Sequence, residues 1–181
     1  AFSADQESKK IMVPESVVEK ISKGKFTVQH LNALIAHEIQ THALRRHNEE
    51  RTKLKLLGLG LDRYLKGEEG VATFNQQNVE GATQFAGVGY YFCIGIASGF
   101  FDGVQRDFRE TFNLVRDYYY LKGKKGPDKM EVAQKNAWSA CVRVFRGSTC
   151  QTPGVTFNKD LAYIGNREIW TLVSKNSDVV Q

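Results

Sequence analysis

The stretch ALIAHEIQTHALRR, residues 33–46, places ionisable side chains within an apolar helix pattern. Thr27, a few residues earlier, is a candidate N-cap, because a threonine hydroxyl can accept a hydrogen bond from the first helical turn. The apolar residues that follow recur at the spacing of one helix face: Val28, Leu31, Leu34, Ile35 and Ile39. The pattern therefore predicts a helix that continues to about Asn48 or beyond.

Two histidines and a glutamate, His37, Glu38 and His42, give this helix the pattern HExxxH. Zinc in hydrolytic sites commonly takes three protein ligands, and helical sites usually space two histidines four residues apart. Here the spacing is five, and on a regular α-helix the two rings would point about 140° apart. A π-bulge would return both rings to one face, and such bulges are frequent at functional sites. A shared metal therefore predicts a local departure from the α-helix, whereas a polar helix face requires none.

Adjacent carboxylates follow in GEEGVA, where Glu68 and Glu69 begin a helix predicted over residues 68–82, after a glycine-punctuated loop at residues 56–67. A carboxylate in this position can face the first helix and complete a metal site with two imidazoles. The alternative is that both glutamates only favour the N-terminus of their own helix through its dipole.

Four segments then occur in a fixed order: HEIQTHALR, EEGVA, CVRVFRG and FNKDLAYIGN. Together they resemble the HEIGTHxLR, (E/Q)EGLA, RVxRG and F(T/S)KDxxYLxG motifs of the tyrosine carboxypeptidase family. That family includes the enzyme that removes the terminal tyrosine from α-tubulin. The resemblance extends from about residue 27 to residue 170. It implies a zinc-dependent metallopeptidase, a carboxypeptidase that removes a C-terminal residue, with a catalytically silent peptide-binding member as the alternative.

The resemblance also implies roles for individual residues. The metal ligands fall on His37, His42 and Glu69, since Glu69 is the acidic residue directly before glycine in the second motif. The catalytic base falls on Glu38. The chain departs from the family pattern at Gln40, where the family usually has glycine.

Four further residues are candidates for contact with a substrate. Peptide hydrolysis needs a donor for the developing oxyanion, and Tyr163 in KDLAYIG is the candidate, with a core tyrosine as the alternative. A carboxypeptidase must also bind a free carboxylate, for which a bidentate arginine is well suited. Arg143 and Arg146 lie in the shared RVFRG segment and are the first candidates, with Lys159 next.

The charge and cysteine content of the chain indicate which kinds of binding partner and which location to expect. The chain of 181 residues has 25 Lys and Arg against 20 Asp and Glu, an excess of +5. This charge fits an acidic peptide or protein C-terminal tail, whereas the dispersed basic residues do not predict nucleic-acid binding. Three widely spaced cysteines form no disulfide framework, and the polar first residues do not resemble a signal peptide. A cytoplasmic location is therefore expected.

The remaining pattern predicts a mainly α fold (α+β) with few short strands, in one metallopeptidase domain over residues 1–181. Since the first residue is not Met, a fragment of a longer chain remains an alternative. The most apolar run, residues 84–101, is interpreted as a buried core helix rather than a membrane span, because a span needs ~20 apolar residues. Amphipathic helices are predicted within residues 102–123 and 124–147.

Overall fold

A computed structural model of the chain describes residues 3–5, 8–54, 56–57, 60, 62–82 and 84–175. Most of these residues are helical, and the sheet within them is one antiparallel pair, so the predicted mainly α fold is confirmed. The elements are β1 (Ser3–Asp5), β2 (Lys10–Met12), α1 (Glu15–Ser22), α2 (Val28–Leu34), a π-helix (Ile35–Ala43), α3 (Leu44–Glu50), α4 (Tyr64–Glu80), α5 (Val88–Ser98), α6 (Phe108–Lys122), α7 (Lys129–Val144), a 3-10 helix (Asn158–Ile164) and α8 (Gly165–Lys175).

The chain forms two compact units, and the first comprises Ala1–Ala86 and Ala162–Gln181. Within it, α2, the π-helix and α3 follow one another without a break, because Leu34 and Leu44 at the junctions have right-handed helical backbone. Helix α4 packs against both the π-helix and α8. It therefore connects the HExxxH segment with the C-terminal helix of the same unit.

Of two predicted helix starts, one is confirmed and one is wrong. The N-cap at Thr27 is confirmed, since its hydroxyl accepts a hydrogen bond from the backbone N–H of His30 at 3.2 Å. Helix α4 begins earlier than expected, at Tyr64 rather than at Glu68. The prediction failed there because Arg63 adopts left-handed backbone with φ of 60° and turns the chain into the helix before the glutamates.

A buried polar network holds α8 on α4. Asn166 is fully buried, and its Nδ2 donates to Oε1 of Gln77 at 2.9 Å. Trp170 Nε1 donates to the same oxygen at 2.9 Å, and Asn166 Oδ1 accepts from the backbone N–H of Ala86 at 2.9 Å. Because both ends of the asparagine amide are satisfied, the network specifies one arrangement of these helices.

The second unit comprises Gly87–Leu161, and its core is formed by α5, α6 and α7. The core helix predicted within residues 84–101 is confirmed for Val88–Ser98. Among the described residues, no helix is long and apolar enough to cross a membrane. The prediction of a single domain stays a prediction. The buried apolar side chains of this core are Cys93, Ile94, Ala97, Val115, Ala137, Ala140, Cys141, Val144 and Phe145.

Candidate metal centre

The π-helix places the two histidines of the HExxxH pattern side by side. The ring centroids of His37 and His42 are 5.1 Å apart, although a regular α-helix would turn the rings about 140° away from each other. Within the π segment, the Thr41 hydroxyl donates to the carbonyl oxygen of Ala36, five residues back, at 2.9 Å. The departure from the α-helix that a shared metal requires is therefore confirmed.

Gln40 occupies the one position of this segment where glycine was expected. Its side chain is exposed, and its backbone is not among the left-handed non-glycine residues of the described chain. The π-helix therefore forms here without the conformational freedom of glycine.

Glu69 on α4 faces the two histidines. Its Oε2 lies 3.7 Å from His37 Nε2, and its Oε1 lies 4.0 Å from His42 Nε2. One ligand atom from each of the three residues lies within 4.8 Å of the other two. Zinc bonds of about 2.0–2.1 Å in a tetrahedron would place such atoms roughly 3.3 Å apart, so the side chains would have to close by up to about 1.5 Å to hold an ion.

Burial of the three side chains also fits a metal. The exposed fractions are 12% for His37, 8% for His42 and 15% for Glu69, so the cluster is largely shielded from water. His37 Nδ1 is buried and makes no hydrogen bond within the described part of the chain. Two imidazoles and one carboxylate form a ligand set used by hydrolytic zinc sites, in which a fourth position remains for water.

Glu68, the neighbour of Glu69, is buried behind the cluster. Its Oε1 contacts His42 Nδ1 at 2.7 Å and accepts from Arg45 Nε at 2.8 Å. Since α4 begins at Tyr64, both glutamates lie beyond its first residues. The alternative in which they only favour the helix N-terminus is therefore wrong for Glu68, whose carboxylate has two side-chain partners.

The two histidines have opposite pKa shifts. Burial, together with the nearby charge of His42, lowers the pKa of His37 to about 4, so this imidazole is neutral near pH 7. Burial also acts to lower the pKa of His42, but the hydrogen bond to Glu68 and the charge of Glu69 outweigh it and raise that pKa. For Glu68, hydrogen bonds from His42 and Arg45 outweigh burial and lower the pKa, so the carboxylate is ionised.

Glu38, the expected base, is half-buried in the π-helix. Its Oε2 accepts the backbone N–H of Ala4 in β1 at 2.8 Å, so the first strand lies against the HExxxH segment. The charge of Glu38 contributes to raising the pKa of His42, which places the two groups in one electrostatic environment. Its role as a base stays a prediction.

The remaining candidates belong to other parts of the chain. Tyr163 is half-buried in the 3-10 helix directly before α8, in the first unit. Lys159 is exposed at the start of the 3-10 helix, in the second unit. Their proposed contacts with a substrate stay predictions.

Arg143 and Arg146 in the second unit both bind one buried carboxylate, Asp160. Arg143 donates from Nε at 3.0 Å and from Nη2 at 2.8 Å, and Arg146 donates from Nη2 at 3.3 Å. The Asp160 side chain is only 3% exposed. Sequence reasoning missed Asp160, although it lies in the same KDLAYIG segment as Lys159 and Tyr163. A substrate role for the two arginines stays a prediction.

Comparisons with protein-family models, curated proteins and solved structures found no match for the chain. The arrangement of His37, His42 and Glu69, together with the residues around them, is therefore the main indication of function.

Proposed function

We propose that the chain is a cytoplasmic, zinc-dependent metallopeptidase, and that it acts as a carboxypeptidase on C-terminal tails. The observation that supports this most is the convergence of His37, His42 and Glu69 on one point, with ligand atoms within 4.8 Å of one another. His37 and His42 share one side of their helix because the segment that carries both is a π-helix, and α4, which packs against it, brings Glu69 to them.

The chemistry follows from the ligand set and from Glu38. A zinc ion held by His37, His42 and Glu69 would lower the pKa of a water molecule and polarise a peptide carbonyl. Glu38, the residue next to His37, would accept a proton from water and pass it to the leaving amine. Because Oε2 of Glu38 already accepts the Ala4 N–H, the proton would be taken by its other oxygen.

The proposed substrate is a peptide or protein that ends in an acidic tail. The net charge of +5 favours an acidic partner. Arg143 and Arg146 would bind the terminal carboxylate, for which their guanidinium groups have the right shape. The side chains of both arginines are 37% exposed, so a part of each remains accessible besides its contact with Asp160.

The test combines metal analysis with mass spectrometry of a peptide library incubated with the protein. We expect about one zinc ion per chain and the loss of single C-terminal residues. Glu38→Gln should retain zinc and lose activity, because it keeps the shape of the side chain but cannot act as a base. His42→Ala should lose both, whereas His47→Ala, at an exposed histidine of α3, should lose neither.

Two results would contradict the proposal. Protein that binds no zinc when the metal is supplied would remove its basis. Protein that binds zinc and peptides without cleaving them, unchanged by Glu38→Gln, would favour the catalytically silent alternative.

A further inference from the structure

Glu68 contacts the metal cluster without being part of it. Its side chain is 3% exposed, and its Oε1 contacts both His42 Nδ1 at 2.7 Å and Arg45 Nε at 2.8 Å. We propose that Glu68 is a positioning residue, which fixes the tautomer and ring orientation of His42 so that Nε2 faces the cluster. Arg45 in turn holds the Glu68 carboxylate. The inference rests on the metal site of the proposed function.

The tautomer follows from the chemistry of the contact. A neutral imidazole carries one N–H, and only the other nitrogen has a lone pair for a metal. An ionised carboxylate can only accept, so the 2.7 Å contact requires His42 to donate from Nδ1. Nε2 then keeps its lone pair, and it is this nitrogen that lies 4.0 Å from Glu69 Oε1. The hydrogen bond to Glu68 therefore selects the ring nitrogen that can bind an ion.

Arg45 binds the same carboxylate oxygen of Glu68 that contacts His42. Its Nε donates to Glu68, its Nη1 pairs with Glu49, and its guanidinium lies 5.0 Å from the centre of the Tyr64 ring. The arginine is thus held by α3 and α4 together. A carboxylate with two directed partners has little freedom to rotate, so the orientation of His42 is set before an ion binds.

His37 differs from His42, because the side chain that interacts with it is the amide of Gln76 and not a buried carboxylate. Within the described part of the chain, its Nδ1 is buried and makes no hydrogen bond, whereas His42 Nδ1 has a carboxylate partner. Partners of this kind typically contribute 10–100-fold to metal affinity. We therefore expect the effect of Glu68 to act on His42 alone.

The direct test is long-range 1H–15N NMR of the histidine side chains in metal-free protein at alkaline pH. The unchanged chain should show His42 with the proton on Nδ1, and Glu68→Gln should keep it there, because the amide oxygen still accepts. Glu68→Leu should move the proton to Nε2. A proton on Nε2 in the unchanged chain, or no change in Glu68→Leu, would overturn the inference.

Chelator competition with Zn2+ and Co2+ supplies the second readout. We expect Glu68→Leu to bind either ion about 10–100-fold more weakly and to change the visible spectrum of bound Co2+, while Glu68→Gln stays close to the unchanged chain. Glu50→Gln is the matched control, since this acid of α3 pairs with Arg46 and Lys9 instead. Equal affinities of the Glu68→Leu variant and the unchanged chain would overturn the inference.

The two proposals fail in different ways. A chain with the Nδ1 proton on His42 that binds no metal would contradict the proposed function and leave the positioning by Glu68 intact. If the chain binds zinc but Glu68→Leu does not change which nitrogen of His42 carries the proton, the positioning role of Glu68 is contradicted and the metal site is not. If the Glu68→Leu variant does not fold, the inference is still tested by which nitrogen of His42 carries the proton in the unchanged chain.

Discussion

A β-carbon on Gly165 would lie 2.1 Å from the carbonyl oxygen of Lys66, so the first residue of α8 sits directly on the backbone of α4. Gly70 takes part in the same crossing, because its β-carbon would lie 2.7 Å from the carbonyl carbon of Gly165. Both contacts are to backbone, which cannot move aside as a flexible side chain can. Since Glu68 and Glu69 lie between Lys66 and Gly70, the crossing also fixes the segment that carries the two carboxylates.

Gly165→Ala should therefore destabilise the protein. Overpacking of this kind typically costs about 1–3 kcal/mol, which urea unfolding would measure. Gly67→Ala is the matched control: a β-carbon there would meet nothing within 4 Å. Removing a glycine from an open helix position should raise the free energy of unfolding by about 0.5–1 kcal/mol. Equal effects of the two substitutions would contradict the close approach of α8 and α4.

Thr41→Val should destabilise the π-helix. The hydroxyl of Thr41 donates to the Ala36 carbonyl at 2.9 Å and accepts from Asn75 Nδ2 at 3.0 Å, and the residue is buried. Valine keeps the shape but leaves these partners without the hydroxyl, at a cost of about 1–3 kcal/mol in the free energy of unfolding. Thr171→Val removes a similar hydroxyl contact, to the Arg167 carbonyl, at an exposed site. If Thr171→Val lowers the free energy of unfolding as much as Thr41→Val does, the buried contacts of Thr41 are not the cause of the destabilisation.

Asp160→Ala should destabilise the second unit more than the loss of an exposed carboxylate does. Removing one partner of a buried ion pair costs about 3–5 kcal/mol, and the partly exposed Arg143 and Arg146 would place the loss at the lower end. The control is Asp117→Ala, since Asp117 pairs with Arg116 at the surface and is 58% exposed. Its loss should be below about 1 kcal/mol. Comparable losses in thermal unfolding would contradict a structural role for Asp160.

The three cysteines should differ in reactivity. The hydrogen bond between the thiols of Cys93 and Cys141, with Sγ atoms 3.8 Å apart, and burial raise the pKa of Cys93 well above its usual range. Because the thiolate is the reactive form, an alkylating reagent should label exposed Cys150 in the folded protein and the two buried thiols only after unfolding. Peptide mass spectrometry would locate the label. Rapid labelling of Cys93 in the folded chain would contradict the buried core of α5 and α7.

Elements with strong local signals could be predicted from the sequence. Helix α6 has an apolar face and a capping box at Asp107 and Glu110, and α2 has the Thr27 cap, so both are specified within a few residues. The start of α4 could not be predicted, because it depends on the left-handed backbone of Arg63, a residue type with no preference for it. The three-residue strands of the hairpin are also too short to leave a periodic pattern.

In the candidate site too, one feature could be predicted from the sequence and another could not. The HExxxH spacing alone predicts that a shared metal needs a helix irregularity, because the directions of the two rings depend only on rotation about one helix axis. The contact between Glu68 and His42 could not be predicted in this way. It depends on how α4 packs against the π-helix, which is a contact between two elements that are separated by α3 and a loop in the sequence.

Anomalous X-ray diffraction at the zinc edge, from crystals of the chain grown with zinc, tests the central claim most directly. We expect one ion at roughly 2 Å from an imidazole nitrogen of His37, from Nε2 of His42 and from the Glu69 carboxylate. Zinc found only at other places, or no anomalous peak among these three side chains, would contradict it.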